Sequence, residues 1–471
     1  MPSTGPRAAI ASLLAALALA TTLVVPAAAQ APTPGSTPGS SPTALATPVL
    51  SVRRAPEFLR SQAIDAAVEQ QVAPVLADVP EQSCLAITDH GRDVTGVRRD
   101  LPLIPASVNK LLTTDAAVAV LGPTATLDTV VRADAAPGPD GVVAGNLYLV
   151  GGGDPLLFTE GFRVTLKDED QIQTDFAAVA DAVAAAGITE VRGGIVGDES
   201  RYDAERGIPT WSSNYQAEGA AGALSALEVN RGQTGLSQDP DTPARVRKLG
   251  DPPTLAAETL ASLLADRGVS VSGPPTAGTA PAASVEVARV PSVPIEDLAA
   301  EILTWSDNTA AELLTKEVGR ASSGSGTTTA GVTAIQQNLA AQGLPMAGVT
   351  MTDGSGLDRG NRVTCELVVD LLDRQGPDSS LADGLSVAGE SGTLRDRLRG
   401  SALAGRLRAK TGTLSEVNAL AGFVTTDDGR ELTFAMIVND DEEEGYQRLD
   451  ELALALLSAT DAPAVEVLGP R

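Results

Sequence analysis

The stretch PASVNKLLTT (residues 105–114) places Lys110, one of only five lysines in the chain, three residues after Ser107. The segment is predicted to form a helix from about Ser107 to Leu121, which Gly122 and Pro123 end. Side chains at positions i and i+3 of a helix lie on one face within contact distance. The stretch therefore predicts a serine hydroxyl beside a lysine amine at the start of a helix.

This pair has the chemistry of a nucleophile and its base. A serine hydroxyl is a weak nucleophile unless a base takes its proton, and a desolvated lysine can do so. Lysine has an ordinary pKa of about 10.4, so we expect burial and the positive charge of Lys410 to lower the pKa of Lys110. The alternative is that Ser107 is only a helix N-cap, because S-x-x-K is a common string.

A second polar stretch, Ser306-Asp307-Asn308, interrupts two apolar helical segments within PIEDLAAEILTWSDNTAAELLTKEVG. A short polar break of this kind puts hydroxyl and amide groups on a loop, where they could relay a proton or hold a substrate amide. The same residue types also favour caps and turns, so alone the stretch is weak evidence.

The third stretch is Lys410-Thr411-Gly412-Thr413, in the predicted strand GRLRAKTGTL. Its lysine supplies positive charge, its threonine hydroxyls can bind a carboxylate, and its glycine lets a substrate backbone approach closely. The alternative is a solvated lysine on an edge strand. Two further strands, ALAGFVTT and ELTFAMIVN, are predicted to form a hairpin through DDGR.

The order S-x-x-K, S-D-N, K-T-G is the signature set of class A β-lactamases and penicillin-binding proteins. Ser306 follows Ser107 by 199 residues, a spacing that implies an inserted region. Together with NLYLVGGGDP, GDESRYD, TDGSGLDRGNRV, SGTLRDRL and RAKTGTLSEVNALAGFV, the chain resembles the D-alanyl-D-alanine carboxypeptidase/endopeptidase family of low-molecular-mass class C penicillin-binding proteins (DacB-like, peptidase family S13). The resemblance runs from about Phe58 to about Ala459.

The resemblance implies an α+β fold: a penicillin-recognising, β-lactamase/transpeptidase-like domain with helices around an antiparallel sheet, interrupted by a long, mostly β insertion. The predicted organisation is a signal peptide (1–29), a Pro/Ser/Thr-rich linker (30–55), the first part of the transpeptidase-like domain (56–124), the inserted domain or domains (125–291) and the second part (292–471).

The resemblance also implies the roles of the motif residues. Ser107 would be acylated, Lys110 would activate it, and the backbone N–H groups of Ser107 and Thr413 would form the oxyanion hole. Ser306 and Asn308 would serve proton transfer and substrate positioning. The implied site residues are Ser107, Lys110, Ser306, Asn308 and Lys410 as catalytic groups and Thr411, Gly412 and Thr413 as substrate-binding groups.

The expected function is an exported serine-type D-Ala-D-Ala carboxypeptidase that trims peptidoglycan peptides, with endopeptidase action on cross-links as a second activity. β-Lactams are expected to inhibit it covalently. The alternatives are a β-lactamase and a non-catalytic cell-wall-binding protein. Neither a metal nor an organic cofactor is expected.

Composition bounds these expectations. The net charge of −26 argues against a nucleic-acid partner. A single histidine, His90, nearly excludes a Ser-His-Asp triad, and two cysteines with one histidine exclude a Cys- or His-rich zinc site. Arg7, the apolar run after it and the small residues at 27–29 are typical of a secretory signal peptide, or of a membrane anchor if uncleaved. Cys84 and Cys365 could form a disulfide or remain free thiols.

Overall fold

The structure is a computed structural model that describes residues 52–77, 79–163, 165–166, 168, 171–234, 248–440, 442–458 and 465–468. The predicted signal peptide (1–29) and residues 30–51 of the predicted linker lie outside the described residues. Within the described part of the chain, no helix combines the length and the apolar character needed to cross a membrane.

The α-helices are numbered in chain order. They are α1 (Pro56–Ala77), α2 (Asn109–Leu121), α3 (Glu160–Arg163), α4 (Ala177–Ala185), α5 (Asn214–Ala217), α6 (Pro252–Asp266), α7 (Ile295–Trp305), α8 (Asn308–Ser323), α9 (Thr328–Ala341), α10 (Cys365–Gln375), α11 (Ser380–Asp383), α12 (Glu442–Leu457) and α13 (Val465–Leu468). Short 3₁₀ turns are Val52–Arg54, Ala106–Val108, Asn230–Gly232 and Gly392–Leu394.

The β-strands are numbered in the same way. They are β1 (Ser83–Asp89), β2 (Arg92–Val97), β3 (Thr129–Ala133), β4 (Val142–Val143), β5 (Leu147–Val150), β6 (Leu157–Phe158), β7 (Thr174–Asp175), β8 (Glu190–Val191), β9 (Ile195–Asp198), β10 (Gln233–Thr234), β11 (Lys248–Leu249), β12 (Ser270–Val271), β13 (Thr276–Ala277), β14 (Val285–Val290), β15 (Ser386–Val387), β16 (Leu407–Leu414), β17 (Val417–Thr425) and β18 (Glu431–Val438).

The main sheet has the strand order β15-β16-β17-β18-β1-β2, and every neighbouring pair is antiparallel. The predicted hairpin is present, since Thr425 pairs with Glu431 and Gly429 supplies the positive φ of +83° that the turn requires. β18 (Glu431–Val438) pairs with β1 (Ser83–Asp89), so distant parts of the sequence meet in the centre of the sheet. The α+β class with an antiparallel sheet is confirmed.

Helices cover both faces of this sheet because its side chains alternate. Cys84 and Ala86 of β1 face a core formed with α2, α7, α8, α9 and α10, whereas Leu85 and Ile87 face a second core formed with α1 and α12. The first core includes Leu111 of α2. The helix that carries the S-x-x-K stretch is therefore held against the sheet that carries the K-T-G stretch.

Cys84 and Cys365 form a disulfide that joins β1 to the first residue of α10. Their Cα atoms are 5.9 Å apart, within the range that a disulfide bridges. Both residues are buried in the first core. The question that the sequence left open is thus answered in favour of the bridge.

The region between β3 and β14 has its own core, to which β5, α4 and α6 contribute. A mixed sheet of order β13-β9-β5-β3-β14 combines parallel and antiparallel pairs, and a smaller parallel sheet has the order β12-β8-β4. Short strands were expected here, and the structure adds the helices α4 and α6.

The inserted region is anchored to α8 by buried charges. Arg201 donates to both carboxylate oxygens of Glu317, at 2.8 and 2.7 Å, and the hydroxyl of Tyr202 donates to the same carboxylate at 3.0 Å. One residue earlier in α8, the almost fully buried Lys316 pairs with Asp203. Because α8 begins at Asn308, these contacts fix the insertion relative to the S-D-N stretch.

Candidate active site

Ser107 lies in the 3₁₀ turn Ala106–Val108, directly before α2. The predicted helix is confirmed, with its α-helical part starting two residues later than expected. Pro105 and Val108 are the N-caps of the turn and of α2, and neither end has a side-chain cap, so the alternative that Ser107 is only an N-cap is wrong. Ala106 has a φ of +46°, a left-handed conformation that costs an alanine about 1–2 kcal/mol.

Lys110 is completely buried in the first turn of α2. Its Nζ lies 2.9 Å from Ser107 Oγ, 2.6 Å from Asn308 Oδ1 and 2.7 Å from the carbonyl oxygen of Ser355. Burial lowers the pKa of Lys110 to about 8, against the opposing effect of nearby carboxylates, the largest of which is that of Asp353. The amine and the hydroxyl are thus within hydrogen-bonding distance, as the i, i+3 spacing predicted.

The S-D-N stretch forms the junction between α7 and α8, as expected. Ser306 ends α7 with a φ of +60°, and Asp307 caps α8 by accepting a bond of 3.0 Å from the N–H of Ala310. Asn308 donates from Nδ2 to the carbonyl oxygen of Ala220 at 2.7 Å, which leaves its Oδ1 for Lys110. The insertion therefore sets the orientation of the Asn308 amide.

Lys410 is completely buried in β16, and its Nζ donates to the carbonyl oxygen of Thr411 at 3.1 Å. Because its side chain is completely buried, the alternative of a solvated lysine is wrong, although β15 pairs only with Arg408 and Ala409 and does not extend along β16 to Lys410. Burial, and then the positive charge of Lys110, lower the pKa of Lys410 well below its ordinary value. Of the two expected causes, burial is the one that lowers the pKa of Lys110, and the repulsion between the two lysines is the second cause of the lowered pKa of Lys410.

Gly412 packs against the 3₁₀ turn that carries Ser107. A Cβ atom at this position would lie 2.8 Å from the carbonyl oxygen of Pro105 and 3.1 Å from the backbone nitrogen of Ser107. The sequence interpretation gave Gly412 the task of admitting substrate backbone. In the structure, its missing side chain is what allows β16 to lie against residues 105–107.

These elements enclose an open cleft of about 270 Å³. Four of the predicted site residues line it: Ser107, Ser306, Thr411 and Thr413. Lys110, Asn308, Lys410 and Gly412 lie beside or beneath those four, in the contacts described above. The structure therefore brings the three motifs together, although Ser107 and Lys410 are over 300 residues apart in the chain.

Residues 68–255 and 235–458 match the sequence model of the D-Ala-D-Ala carboxypeptidase 3 (S13) family. The chain belongs to this family. It is 32% identical over 410 residues to the D-alanyl-D-alanine carboxypeptidase of Actinomadura sp. (strain R39), a match that covers 72% of this chain and 73% of that protein. It is also 32% identical over 407 residues to a carboxypeptidase of Mycobacterium tuberculosis, covering 83% and 84%. The motif-based resemblance is confirmed, and the S13 protein is a peptidase.

Solved structures support the same fold. The structure of penicillin binding protein 4 (dacB) of Haemophilus influenzae superposes on this chain with a TM-score of 0.68 at 20% sequence identity. The match covers 81% of this chain and 98% of that protein. The complex of that protein with a novel β-lactam superposes with a TM-score of 0.60 at the same coverage and identity. The penicillin-recognising fold predicted from the motifs is therefore confirmed.

Three further residues that line the cleft of this S13 peptidase were missed at the sequence level: Thr393, Arg397 and Tyr446. Arg397 stacks 3.8 Å above the ring centre of Tyr446 and donates to Asp450. Thr393 and Arg397 lie in SGTLRDRL, a stretch that carried the family resemblance but no residue roles. Tyr446 lies in a helix without any motif.

Thr393 connects to the K-T-G stretch through a row of hydroxyl groups. Thr411 donates to Thr393 at 2.8 Å, the hydroxyls of Thr393 and Ser386 are 3.1 Å apart, and Ser386 donates to the carbonyl oxygen of Thr304 at 2.8 Å. Because the row ends on a carbonyl, each hydroxyl donates toward Thr304. The row holds the Thr411 side chain at the wall of the cleft, with its hydroxyl proton directed toward Thr393.

Behind Lys110 lies a buried pair of acids that the sequence also gave no reason to select. Glu312 accepts from the N–H groups of Gly354 and Ser355, at 3.1 and 2.7 Å, and so fixes the loop whose Ser355 carbonyl faces Lys110. Burial, and then the charge of Asp353, raise the pKa of Glu312 to about 8. The carboxylates of Asp353 and Glu312 both raise the pKa of Lys110 and so oppose the lowering that burial causes.

Proposed function

We propose that this S13 peptidase is exported, that it removes the terminal D-alanine of peptidoglycan stem peptides through an acyl-enzyme on Ser107, and that β-lactams acylate the same oxygen. The observation that carries the proposal is the 2.9 Å separation of Lys110 Nζ from Ser107 Oγ, with the amine buried and its pKa lowered to about 8. The curated relatives named as carboxypeptidases support the substrate class.

The hydrogen-bond geometry around Lys110 suits proton abstraction. Two of its neighbours, Asn308 Oδ1 and the Ser355 carbonyl oxygen, are oxygens that only accept, so they take two N–H bonds. In the neutral amine the remaining position is a lone pair, and it faces Ser107 Oγ. Lys110 would take the hydroxyl proton as Oγ attacks the carbonyl carbon of the penultimate D-alanine.

The other motif residues complete the reaction. The oxyanion of the tetrahedral intermediate would be held by the N–H groups of Ser107 and Thr413, an arrangement in which one donor is worth about 2.7–4 kcal/mol. Ser306 would pass the proton to the leaving amine as the C–N bond breaks. Thr411 and Thr413 would bind the terminal carboxylate, whose negative charge would raise the pKa of Lys410 and favour its charged form. Water would then hydrolyse the ester.

Two features support export. The predicted signal peptide precedes the described residues, and the Cys84–Cys365 disulfide suits an oxidising compartment outside the cytoplasm. Action on the cell wall requires the same location, because the proposed substrate lies there.

The test combines covalent labelling with product release. Fluorescent penicillin should label the wild type and should not label Ser107→Ala, and a pentapeptide ending in D-Ala-D-Ala should lose one D-alanine. Equal labelling of both proteins would sink the proposal. Rapid turnover of the penicillin would favour the β-lactamase alternative, and absence of both labelling and D-alanine release would favour the non-catalytic wall-binding alternative.

Endopeptidase action on cross-linked peptides is a second candidate activity of the same site. Its chemistry is identical, except that the leaving amine belongs to a second stem peptide. One observation favours endopeptidase action. A further cavity, with room for a larger leaving group, lies next to the cleft, and Ser306 lines both.

A further inference from the structure

A second cavity, of about 330 Å³, lies next to the catalytic cleft on the side of the S-D-N stretch. Ser306 lines both spaces, so they meet at this residue. We name it the Arg231 cavity. Its lining comes from the inserted region and from the junction of α7 with α8, and includes Phe162, Thr165, Gln171, Glu218, Arg231 and Ser306.

Ser306 relates the cavity to the leaving group. It lines both spaces, and the proposed function gives its hydroxyl the task of passing the proton to the leaving amine. The Arg231 cavity therefore lies on the side of the cleft from which the amine would depart. Gln171, which also lines the cavity, donates to Glu301 of α7 at 3.2 Å and so joins the lining to the helix that ends at Ser306.

The side chain and the backbone of Arg231 are both held in place by neighbouring residues. Its guanidinium lies 5.7 and 5.8 Å from the ring centres of Phe158 and Phe162, and one of its terminal nitrogens donates to Asp307. Asn230 and Arg231 both have left-handed backbone conformations, with φ of +57° and +55°. Backbone strain of this kind persists only where the surroundings enforce it, and it is concentrated at ligand clamps and active sites.

The guanidinium of Arg231 keeps an N–H donor for a further partner. Its Nε is buried and has no hydrogen-bond partner among the described residues. Glu228 is fully buried nearby, and burial, followed by the charge of Asp307, raises its pKa well above the ordinary value, which disfavours its charged form. Within the described part of the chain, the carboxylate that pairs with Arg231 is that of Asp307, and Glu218 is an exposed carboxylate on the rim of the cavity.

We propose that the Arg231 cavity is a leaving-group subsite that accepts an amine carried on a peptide chain with a further carboxylate, which Arg231 binds. Arginine suits this task because its planar donors match a carboxylate. Free D-alanine is too small to reach past Ser306 into the cavity. The covalent step is that of the proposed function, on which this inference rests: the bond from Ser107 Oγ to carbon forms, the C–N bond breaks, and the amine leaves with the proton.

The test compares two substrates that share the same acyl part, one releasing D-alanine and the other releasing a carboxylate-bearing peptide as in a cross-linked dimer. For Arg231→Met, which keeps the stem over the phenylalanine rings, we expect kcat/KM for the peptide-releasing substrate to fall at least tenfold relative to that for the D-alanine-releasing one, mainly through KM. Thr165→Phe, which fills the cavity and keeps Arg231, should change the ratio in the same direction.

Arg163→Met is the matched control, because Arg163 is a half-exposed arginine of the same region that pairs only at 3.7 Å with Glu160, outside the cavity lining. Its ratio should equal that of the wild type. Equal losses for both substrates in Arg231→Met would show that Arg231 acts through Asp307 on the catalytic loop, and would overturn the subsite, as would unchanged ratios in both cavity variants. A wild type that releases no D-alanine would instead overturn the proposed function itself, and the subsite with it.

Discussion

Lys110 and Asn308 are joined by a hydrogen bond of 2.6 Å from Nζ to Oδ1 across 198 residues of sequence. The orientation of the amide is fixed from outside, because its Nδ2 donates to the carbonyl oxygen of Ala220 in the inserted region. The insertion thereby controls which atom of Asn308 faces the lysine. Since a carbonyl-type oxygen accepts one N–H of Lys110, the lone pair of the neutral amine is left for Ser107.

The first prediction concerns the pH dependence of acylation. Because the pKa of Lys110 is lowered to about 8, the amine is neutral above this pH and protonated below it. The second-order rate of penicillin acylation should therefore rise about tenfold per pH unit below the pKa and level off above it. Stopped-flow measurement from pH 6 to pH 10 checks this, and a rate that falls with rising pH would contradict it.

His90→Gln is the control for that profile. His90 is the only histidine of the chain and its side chain is 76% exposed, paired at 3.8 Å with Asp89. A histidine titrates close to this pH range. An unchanged profile in His90→Gln assigns the rising limb to the buried site.

The second prediction concerns the hydroxyl row that ends at Thr411. Thr393→Val removes the acceptor of the Thr411 hydroxyl but keeps the side-chain shape. We expect kcat/KM for D-alanine release to fall about tenfold, equivalent to about 1.4 kcal/mol, since the Thr411 side chain loses the partner that holds it beside the cleft, from where its hydroxyl must turn to donate to the carboxylate. Thr393→Ser keeps the hydroxyl and should retain most of the activity. Steady-state kinetics with the pentapeptide would refute the role of the row if both variants behaved alike.

The sequence was sufficient where the chemistry is local or the pattern is regular. The spacing of Ser107 and Lys110 predicted their contact, and the apolar strands around DDGR predicted the hairpin of β17 and β18. The motif order predicted that Lys410 would join them, because it identified a family whose members share the fold. The expected burial of Lys110 was also correct.

Other parts of the site depend on long-range packing that no local pattern records. Thr393 and Tyr446 reach the cleft only because α12 and the 392–394 turn meet beside β16, and the sequence spacing of these elements does not encode that meeting. The sequence also did not show where the effect of the two lysines on each other would be largest. Burial is the main cause of the lowered pKa of both, and the charge of Lys110 is the second cause of the lowered pKa of Lys410.

The third prediction concerns the Cys84–Cys365 bridge, which closes a loop with a sequence separation of 281 residues. Removing a native disulfide typically costs about 2–5 kcal/mol. The double variant Cys84→Ala/Cys365→Ala should lose about that much free energy of unfolding in urea, while its penicillin labelling at low denaturant persists. A reducing agent should lower the urea midpoint of the wild type and leave that of the double variant in place. Identical midpoints for the oxidised wild type and the variant would count against a stabilising role.

The fourth prediction tests the strained residue Ala106, which directly precedes the proposed nucleophile Ser107. Ala106 and Ala116 are both fully buried, but Ala106 has a φ of +46° whereas Ala116 lies within α2. Ala116→Gly should lose about 1 kcal/mol of helix propensity and about 0.8 kcal/mol for the buried methyl group. Ala106→Gly loses a similar methyl group but relieves about 1–2 kcal/mol of left-handed strain, so its free energy of unfolding in urea should stay close to that of the wild type.

The left-handed conformation of Ala106 is also expected to position Ser107, so the acylation rate of Ala106→Gly can be measured beside its stability. The alanine restricts the backbone that presents Ser107, and glycine at this position would allow the turn several conformations. We therefore expect penicillin acylation of Ala106→Gly to slow about tenfold, since a serine that is held less firmly spends less time aligned with Lys110. Ala116→Gly should acylate at the wild-type rate under conditions where it is folded. Equal destabilisation of the two variants, with equal acylation rates, would mean that the left-handed turn neither stores strain nor positions the nucleophile.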